Sequence, residues 1–128
     1  MASRASGGLA ERLGLGYVDR SMNADNSKLV LASQSPRRIE LLKELYPQFE
    51  VAPSSIEEVL DPGLRPEDNA RNIARAKAEH IAPNFPDCWV IGADTLVTLD
   101  HEIFGKPEDE KDAERILKRL SGREHLVI

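Results

Sequence analysis

The sequence predicts an α/β fold, because short apolar runs typical of buried strands alternate along the chain with segments of helical periodicity. The chain has 128 residues, 41% of them hydrophobic, which is enough for one hydrophobic core. Its longest apolar run, residues 88–93, is far shorter than the roughly 20 residues that a membrane-spanning helix needs. We therefore expect one domain without a membrane partner.

The net charge of the chain makes some classes of binding partner less favourable than others. The chain carries 17 Lys and Arg residues against 22 Asp and Glu residues, a formal net charge of −5, which disfavours nucleic acid as a partner. Any anion-binding site must therefore be a local cluster of cations. The single cysteine, Cys88, permits no intrachain disulfide, so we expect a cytoplasmic location.

Residues 1–27 are predicted to be a flexible N-terminal tail, and residues 28–128 to be the folded domain. The first segment contains four glycines and spaced arginines, without sustained periodicity. Two alternatives stay open for it, an organelle-targeting peptide and an artificial extension. Its acidic residues, Glu11, Asp19 and Asp25, argue against targeting.

The domain is predicted to begin with a strand, a helix and a second strand. Residues 29–32 form a short apolar run that suits a buried strand. Ser35 is a favoured N-cap and Pro36 a favoured first helical residue, so a helix should begin there. Residues 49–52 are typical of another strand. An irregular stretch with two acidic residues, Glu57 and Glu58, follows.

A lysine lies on the apolar face of the second predicted helix. This helix begins at Pro66, and its apolar stripe consists of Ala70, Ile73, Ala74 and Ile81. At about 100° per residue, Lys77 lies near the middle of that stripe. Two interpretations are open: the amine reaches solvent while the stem packs, or the ammonium points inward at an anion.

An aspartate interrupts the next apolar run. Residues 89–93 are typical of a central strand, and Asp94 and Thr95 follow before the apolar pattern resumes. A carboxylate in such a place needs a metal ion, a cation or several hydrogen-bond donors. A functional role for Asp94 is therefore favoured over that of a satisfied core residue.

The last part of the domain is predicted to contain a strand at residues 103–104, a helix that ends before Gly122, and a strand at residues 124–128. The apolar face of the helix consists of Ala113, Ile116, Leu117 and Leu120. Because folded domains rarely end within an apolar strand, we expect the chain to be the first portion of a larger domain.

Four cations and two carboxylates together indicate phosphate chemistry. The cations are Arg37, Arg38, Lys77 and Lys106, and the carboxylates are Asp94 and Glu57. With the Ser33 hydroxyl and a helix N-terminus, such cations can bind phosphate oxygens. Carboxylates beside phosphates hold Mg²⁺ or orient an attacking water. The chain lacks the Gly-x-x-x-x-Gly-Lys-Ser/Thr pattern, which excludes a P-loop enzyme.

Five ordered motifs resemble those of the Maf family of nucleoside triphosphate pyrophosphatases. They are LVLASQSPRR at residues 29–38, AKA at 76–78, IGADT at 91–95, GKP at 105–107 and LSGR at 120–123. The resemblance covers residues 28–128. It implies a mixed twisted sheet flanked by helices, as in Maf proteins and inosine triphosphate pyrophosphatases, here truncated after its first half.

The resemblance also implies an activity and roles for residues. The family hydrolyses a nucleoside triphosphate between its α- and β-phosphates with Mg²⁺ or Mn²⁺. The SPRR and GADT forms are similar to the branch that takes dTTP and UTP. By analogy Asp94 activates water and binds metal, with Glu57 or its neighbour Glu58 as the second metal-side carboxylate. The resemblance further implies that phosphate is contacted by Ser33, Arg38, Lys77 and Lys106. It implies that Arg37 and Thr95 select the base.

The family's fold continues well past Ile128, into a half that closes the cleft. We therefore expect residues 1–128 alone to bind triphosphate weakly and to turn it over slowly or not at all. The alternative is a catalytically inactive fragment that self-associates, for example as a homodimer, or pairs with another chain through an open strand edge.

Overall fold

The computed structural model describes residues 17–19 and 28–128, and the predicted α/β class is confirmed. The helices are α1 (Pro36–Leu45), α2 (Pro66–Ile81) and α3 (Glu110–Leu120), with a 3₁₀ turn at Ala82–Asn84. The strands are β1 (Tyr17–Asp19), β2 (Lys28–Leu31), β3 (Glu50–Val51), β4 (Cys88–Gly92), β5 (Val97–Leu99), β6 (Glu102–Phe104) and β7 (Leu126–Val127). None of these three helices has the length and apolar character needed to cross a membrane.

The first sheet is mixed and has helices on both faces. Its strand order is β1-β4-β2-β3, with β2 parallel to both β3 and β4 and with β1 antiparallel to β4. Because side chains alternate along a strand, Val30 and Val90 pack in one core cluster with residues of α2. Leu31 and Ile91 pack on the other face with Leu42 of α1. The three parallel strands therefore end at one edge of the sheet.

Helix α2 lies directly on β4 because Gly92 has no side chain. A Cβ atom at Gly92 would lie 2.1 Å from the carbonyl oxygen of Ala74 and 3.0 Å from the amide nitrogen of Ala78. Both alanines are fully buried. This close approach sets Lys77, the neighbour of Ala78, beside the residues that follow β4.

The turn between β2 and α1 has the cap that the sequence predicts. The Ser35 hydroxyl accepts a hydrogen bond from the Arg38 amide, and Pro36 is the first helical residue. The hydroxyl of Ser33 accepts from the Ser35 amide at 3.1 Å. These local bonds set the direction in which the chain leaves the sheet and enters α1.

The second sheet is antiparallel, with the strand order β6-β5-β7. Asp100 and His101 form the tight turn between β5 and β6, with φ angles of 48° and 69°. Gly122 follows α3 with a φ of 69°, as expected for a C′ glycine. The apolar face predicted for α3 is not buried within the described part of the chain, and Leu117 is 68% exposed.

Strand β1 was not predicted from the sequence. Most of the predicted tail, residues 1–16 and 20–27, lies outside the described residues. Tyr17–Asp19, in contrast, pair with Asp19 opposite Val90 and Tyr17 opposite Gly92. The reason is that β4 would otherwise expose a row of backbone donors and acceptors, which even a strand of three residues can satisfy.

Candidate active site

The candidate site lies where the parallel strands of the first sheet end. The segments that leave this edge are residues 32–35 after β2, residues 52–58 after β3 and residues 93–96 after β4. In open α/β sheets, ligands bind in the crevice outside the carboxyl ends of the strands. This topology explains how predicted site residues far apart in sequence come together.

The centre of the site is a buried lysine between two carboxylates. Lys77 Nζ lies 2.8 Å from Asp94 Oδ1 and 2.8 Å from Glu58 Oε1. The Lys77 side chain is 11% exposed and that of Asp94 is 5% exposed, whereas that of Glu58 is 37% exposed. Of the two interpretations of Lys77, the structure supports the inward-pointing ammonium, and its partners are carboxylates of the protein.

The second oxygen of Asp94 has no partner. Asp94 Oδ2 is buried and, among the residues that the structure describes, accepts no hydrogen bond. An unsatisfied buried carboxylate oxygen is costly, and such groups in native folds usually have a functional explanation. Asp94 therefore has one oxygen held by Lys77 and one oxygen available for chemistry.

Cations around Glu58 determine its charge state. Burial raises the pKa of the Glu58 carboxyl, but the hydrogen bond and charge of Lys77, together with the charges of Lys106 and Arg38, outweigh that effect. The net result is a pKa below the ordinary glutamate value. Glu58 is thus ionised at neutral pH, and both Lys106 and Arg38 act on it.

Arg38 is held in place by Thr95. The Arg38 Nη2 atom donates a hydrogen bond of 2.8 Å to the hydroxyl oxygen of Thr95, across 57 positions of sequence. Since Arg38 is in the first turn of α1 and Thr95 follows β4, this bond connects the start of α1 with the segment after β4.

The other predicted site residues are placed as follows. Ser33 is buried at the end of β2. The side chains of Arg37, Lys106 and Glu57 are exposed and take part in none of the side-chain hydrogen bonds or ion pairs found among residues 28–128. The structure therefore joins Arg38, Lys77, Asp94 and Thr95 to the site by direct contacts, and it sets Glu58 rather than Glu57 against Lys77.

Two polar residues of this region were missed in the sequence. The Oγ atom of Ser54 is buried without a hydrogen-bond partner in the described structure. Asn69, 2% exposed, accepts from the Asp61 amide and donates to the carbonyls of Asp61, Leu64 and Arg65. An asparagine within an otherwise apolar helical stripe was the available signal for Asn69, while nothing local distinguished Ser54 from neighbouring serines.

The fold and the site together define an α/β protein with a charged centre at the carboxyl ends of parallel strands. Residues 28–128 match the family model described as "Maf-like protein", and the chain therefore belongs to that family.

Curated relatives share this part of the chain. A dTTP/UTP pyrophosphatase of Aquifex aeolicus is 50% identical over 101 residues, which are 79% of this chain and 53% of the relative. A dTTP/UTP pyrophosphatase of Bacillus velezensis is 48% identical over 101 residues, which are 79% of this chain and 53% of the relative. A dTTP/UTP pyrophosphatase of Caldicellulosiruptor saccharolyticus is 45% identical over 104 residues, which are 78% of this chain and 52% of the relative. The chain spans about half the length of these relatives.

Proposed function

We propose that the protein hydrolyses dTTP and UTP between the α- and β-phosphates and releases a nucleoside monophosphate and pyrophosphate. The observation that carries this proposal is the buried Asp94 carboxylate, held at one oxygen by Lys77 and unpaired at the other. The relatives named dTTP/UTP pyrophosphatase support the choice of substrate.

The triphosphate would bind through cations that form no direct ion pair with a described carboxylate. Lys106 and Arg37 form no ion pair within the described residues, and Arg38 is held by a neutral hydroxyl. Serine hydroxyls and the Arg37 amide in the first turn of α1 add donors for phosphate oxygens. Because charge develops on the leaving pyrophosphate, fixed cations stabilise the transition state more than the ground state.

The donor set also fits a divalent cation, Mg²⁺ or Mn²⁺. Mg²⁺ is usually held by one or two carboxylates together with phosphate oxygens of the substrate and water. Within the described residues, no three acidic, histidine or cysteine side chains are placed so that together they could hold a metal ion. We assign the direct contact to Glu58, because its side chain is more exposed than that of Asp94 and because Asp94 Oδ2 is needed for proton transfer. The ion would neutralise phosphate charge.

Asp94 is the general base of the proposed reaction. A water that attacks phosphorus gives its proton to Asp94, and the bond from the α-phosphorus to the bridging oxygen breaks, so that pyrophosphate leaves with the electron pair. Asp94 later releases the proton to solvent. A positioned carboxylate of this kind contributes roughly 100- to 10,000-fold to a rate.

A panel of nucleoside triphosphates with Mg²⁺ or Mn²⁺ tests the proposal. The products are scored as pyrophosphate or orthophosphate, at protein concentrations high enough to detect slow turnover. We expect pyrophosphate from dTTP and UTP in excess of that from purine triphosphates. Release of orthophosphate, or equal rates with every base, would overturn the reaction type or the substrate choice, respectively.

The setting of the reaction is also part of the proposal. With one half-buried cysteine and an acidic chain, the protein suits the cytoplasmic nucleotide pool, with no nucleic acid as partner. The homodimer expected from the sequence stays a prediction, and sedimentation velocity at two protein concentrations checks it.

A further inference from the structure

Lys77 has a different electrostatic setting from the other site cations. Its ammonium lies between two carboxylate oxygens at 2.8 Å each, so its single positive charge faces two negative charges. The side chain is almost entirely withdrawn from solvent, whereas Lys106 is exposed and forms no ion pair with a described residue. A phosphate would have to compete with Asp94 and Glu58 for direct contact with the Lys77 ammonium, whereas no described carboxylate forms an ion pair with Lys106.

We infer that Lys77 is a positioning residue that acts through Asp94 and does not bind the triphosphate. It holds Asp94 Oδ1, and thereby leaves Oδ2 as the oxygen that takes up the proton of the attacking water. This role rests on the proposed function, and it differs from the phosphate-neutralising role that the sequence predicts for Lys77.

The geometry supports different roles for the two oxygens of Asp94. Oδ1 has a charge-assisted hydrogen bond, which fixes the rotation of the carboxylate. Oδ2 is buried and has no donor within the described structure, so this oxygen is open to a hydrogen bond from the attacking water. If Lys77 were absent, the carboxylate could rotate, and neither oxygen would be held for proton transfer.

A pair of variants separates the two roles of Lys77. Lys77→Met alone leaves a buried carboxylate without its cation, which puts folding at risk. Asp94→Asn and the double variant Asp94→Asn/Lys77→Met remove that risk, because no buried charge is left at position 94. Binding of the α,β-imido analogue of dTTP, which is not hydrolysed, is measured by calorimetry with Mg²⁺ for both variants, for the unmutated protein and for Lys106→Met.

A positioning role predicts that Asp94→Asn and the double variant bind the analogue within about threefold of each other. Lys106→Met, the matched control, should bind about tenfold more weakly than the unmutated protein, as expected for a lost charge-assisted contact. Where Lys77→Met folds, its kcat for dTTP should fall by roughly 100-fold, while KM changes by less than about threefold.

Two further results have different meanings. Binding by the double variant that is tenfold weaker than by Asp94→Asn would make Lys77 a phosphate ligand and overturn the inference, while leaving the proposed function intact. Failure of the unmutated protein both to bind the analogue and to hydrolyse any triphosphate is the result expected of the inactive-fragment alternative, and it would overturn the proposed function for this chain and the inference with it.

Discussion

Lys77 Nζ lies 2.8 Å from Asp94 Oδ1, although the two residues are 17 positions apart and belong to different elements of the fold. Lys77 is in the fourth turn of α2, and Asp94 follows β4. The ion pair exists because the helix can approach the strand closely at Gly92. Packing and chemistry at the site therefore depend on the same backbone contact.

Replacement of Gly92 by alanine tests this dependence. The new methyl group would lie 2.1 Å from the Ala74 carbonyl oxygen, a backbone atom, so α2 must move away from β4. We expect Gly92→Ala to lower the free energy of unfolding by about 1–3 kcal/mol, as overpacking in a core does. Urea unfolding measures the change.

Gly105→Ala is the matched control for that substitution. Gly105 precedes Lys106 in a loop. A Cβ atom at Gly105 would have no heavy atom within 4 Å apart from those of its two neighbours in the chain. Its replacement should change the free energy of unfolding by less than about 0.5 kcal/mol. Equal effects of the two alanines would show that the contact between α2 and β4 is not tight.

Asn69 is expected to stabilise the loop that connects the Glu58 segment to α2. Its side chain makes hydrogen bonds with the backbone of residues 61, 64 and 65, and it is 2% exposed. Asn69→Ala should cost about 1–3 kcal/mol in the free energy of unfolding, because buried polar groups lose their partner. Asn72→Ala, at an exposed position one turn later, should cost little. The same urea titration distinguishes them, and similar losses would contradict this role.

The hydrogen bond between Arg38 and Thr95 should affect substrate affinity. Thr95→Val keeps the shape of the side chain but removes the acceptor of the Arg38 guanidinium. With Arg38 less well held, KM for dTTP should rise by roughly 2- to 12-fold, the equivalent of one hydrogen bond. Thr95→Ser, which restores the hydroxyl, should return KM close to the original value. An unchanged KM in Thr95→Val would show that Arg38 needs no such support.

The ion pairs between β6 and α3 predict a pH dependence of stability. The hydrogen bond from Arg119 holds the pKa of the Glu102 carboxyl below its ordinary value of 4.5. Because the pKa of Glu102 is lower in the folded protein, this pair stabilises the native state at pH values above the unfolded-state pKa. The stabilisation is lost as the pH falls through the folded-state pKa. Glu102→Gln should therefore lower the urea midpoint at pH 7 and have little effect near pH 2.

Glu44→Gln provides the comparison for that measurement. Glu44 is exposed on α1, and its side chain belongs to no hydrogen bond or ion pair among residues 28–128. Its replacement should leave the midpoint nearly unchanged at both pH values. A loss of the same size for Glu102→Gln at pH 2 and at pH 7 would contradict the ionic origin of the effect.

Local signals in the sequence predicted much of the fold. Ser35 and Pro36 marked the start of α1, and Gly122 marked the end of α3, because caps depend only on neighbouring backbone groups. The arrangement of the strands in two sheets, and the pairing of β1 with β4, depend on contacts distant in sequence. No local pattern could have predicted them.

For the site, too, local sequence patterns predicted some residues, whereas contacts between distant segments could not be predicted. Periodicity placed Lys77 on the inner face of α2, and the position of Asp94 after an apolar strand marked it as unusual. The second metal-side carboxylate could not be chosen between Glu57 and Glu58, since adjacent residues in an irregular segment have no periodicity. Only the course of the chain after β3 brings Glu58 to within 2.8 Å of Lys77.

The most direct test follows dTTP hydrolysis by ³¹P NMR with Mg²⁺, comparing the unmutated protein with Asp94→Asn. Asparagine keeps the size of the side chain but cannot accept the proton of the attacking water. The proposed mechanism predicts equal amounts of dTMP and pyrophosphate from the unmutated protein, and a rate lower by roughly 100-fold or more in Asp94→Asn. Formation of dTDP and orthophosphate, or an undiminished rate in Asp94→Asn, would contradict it.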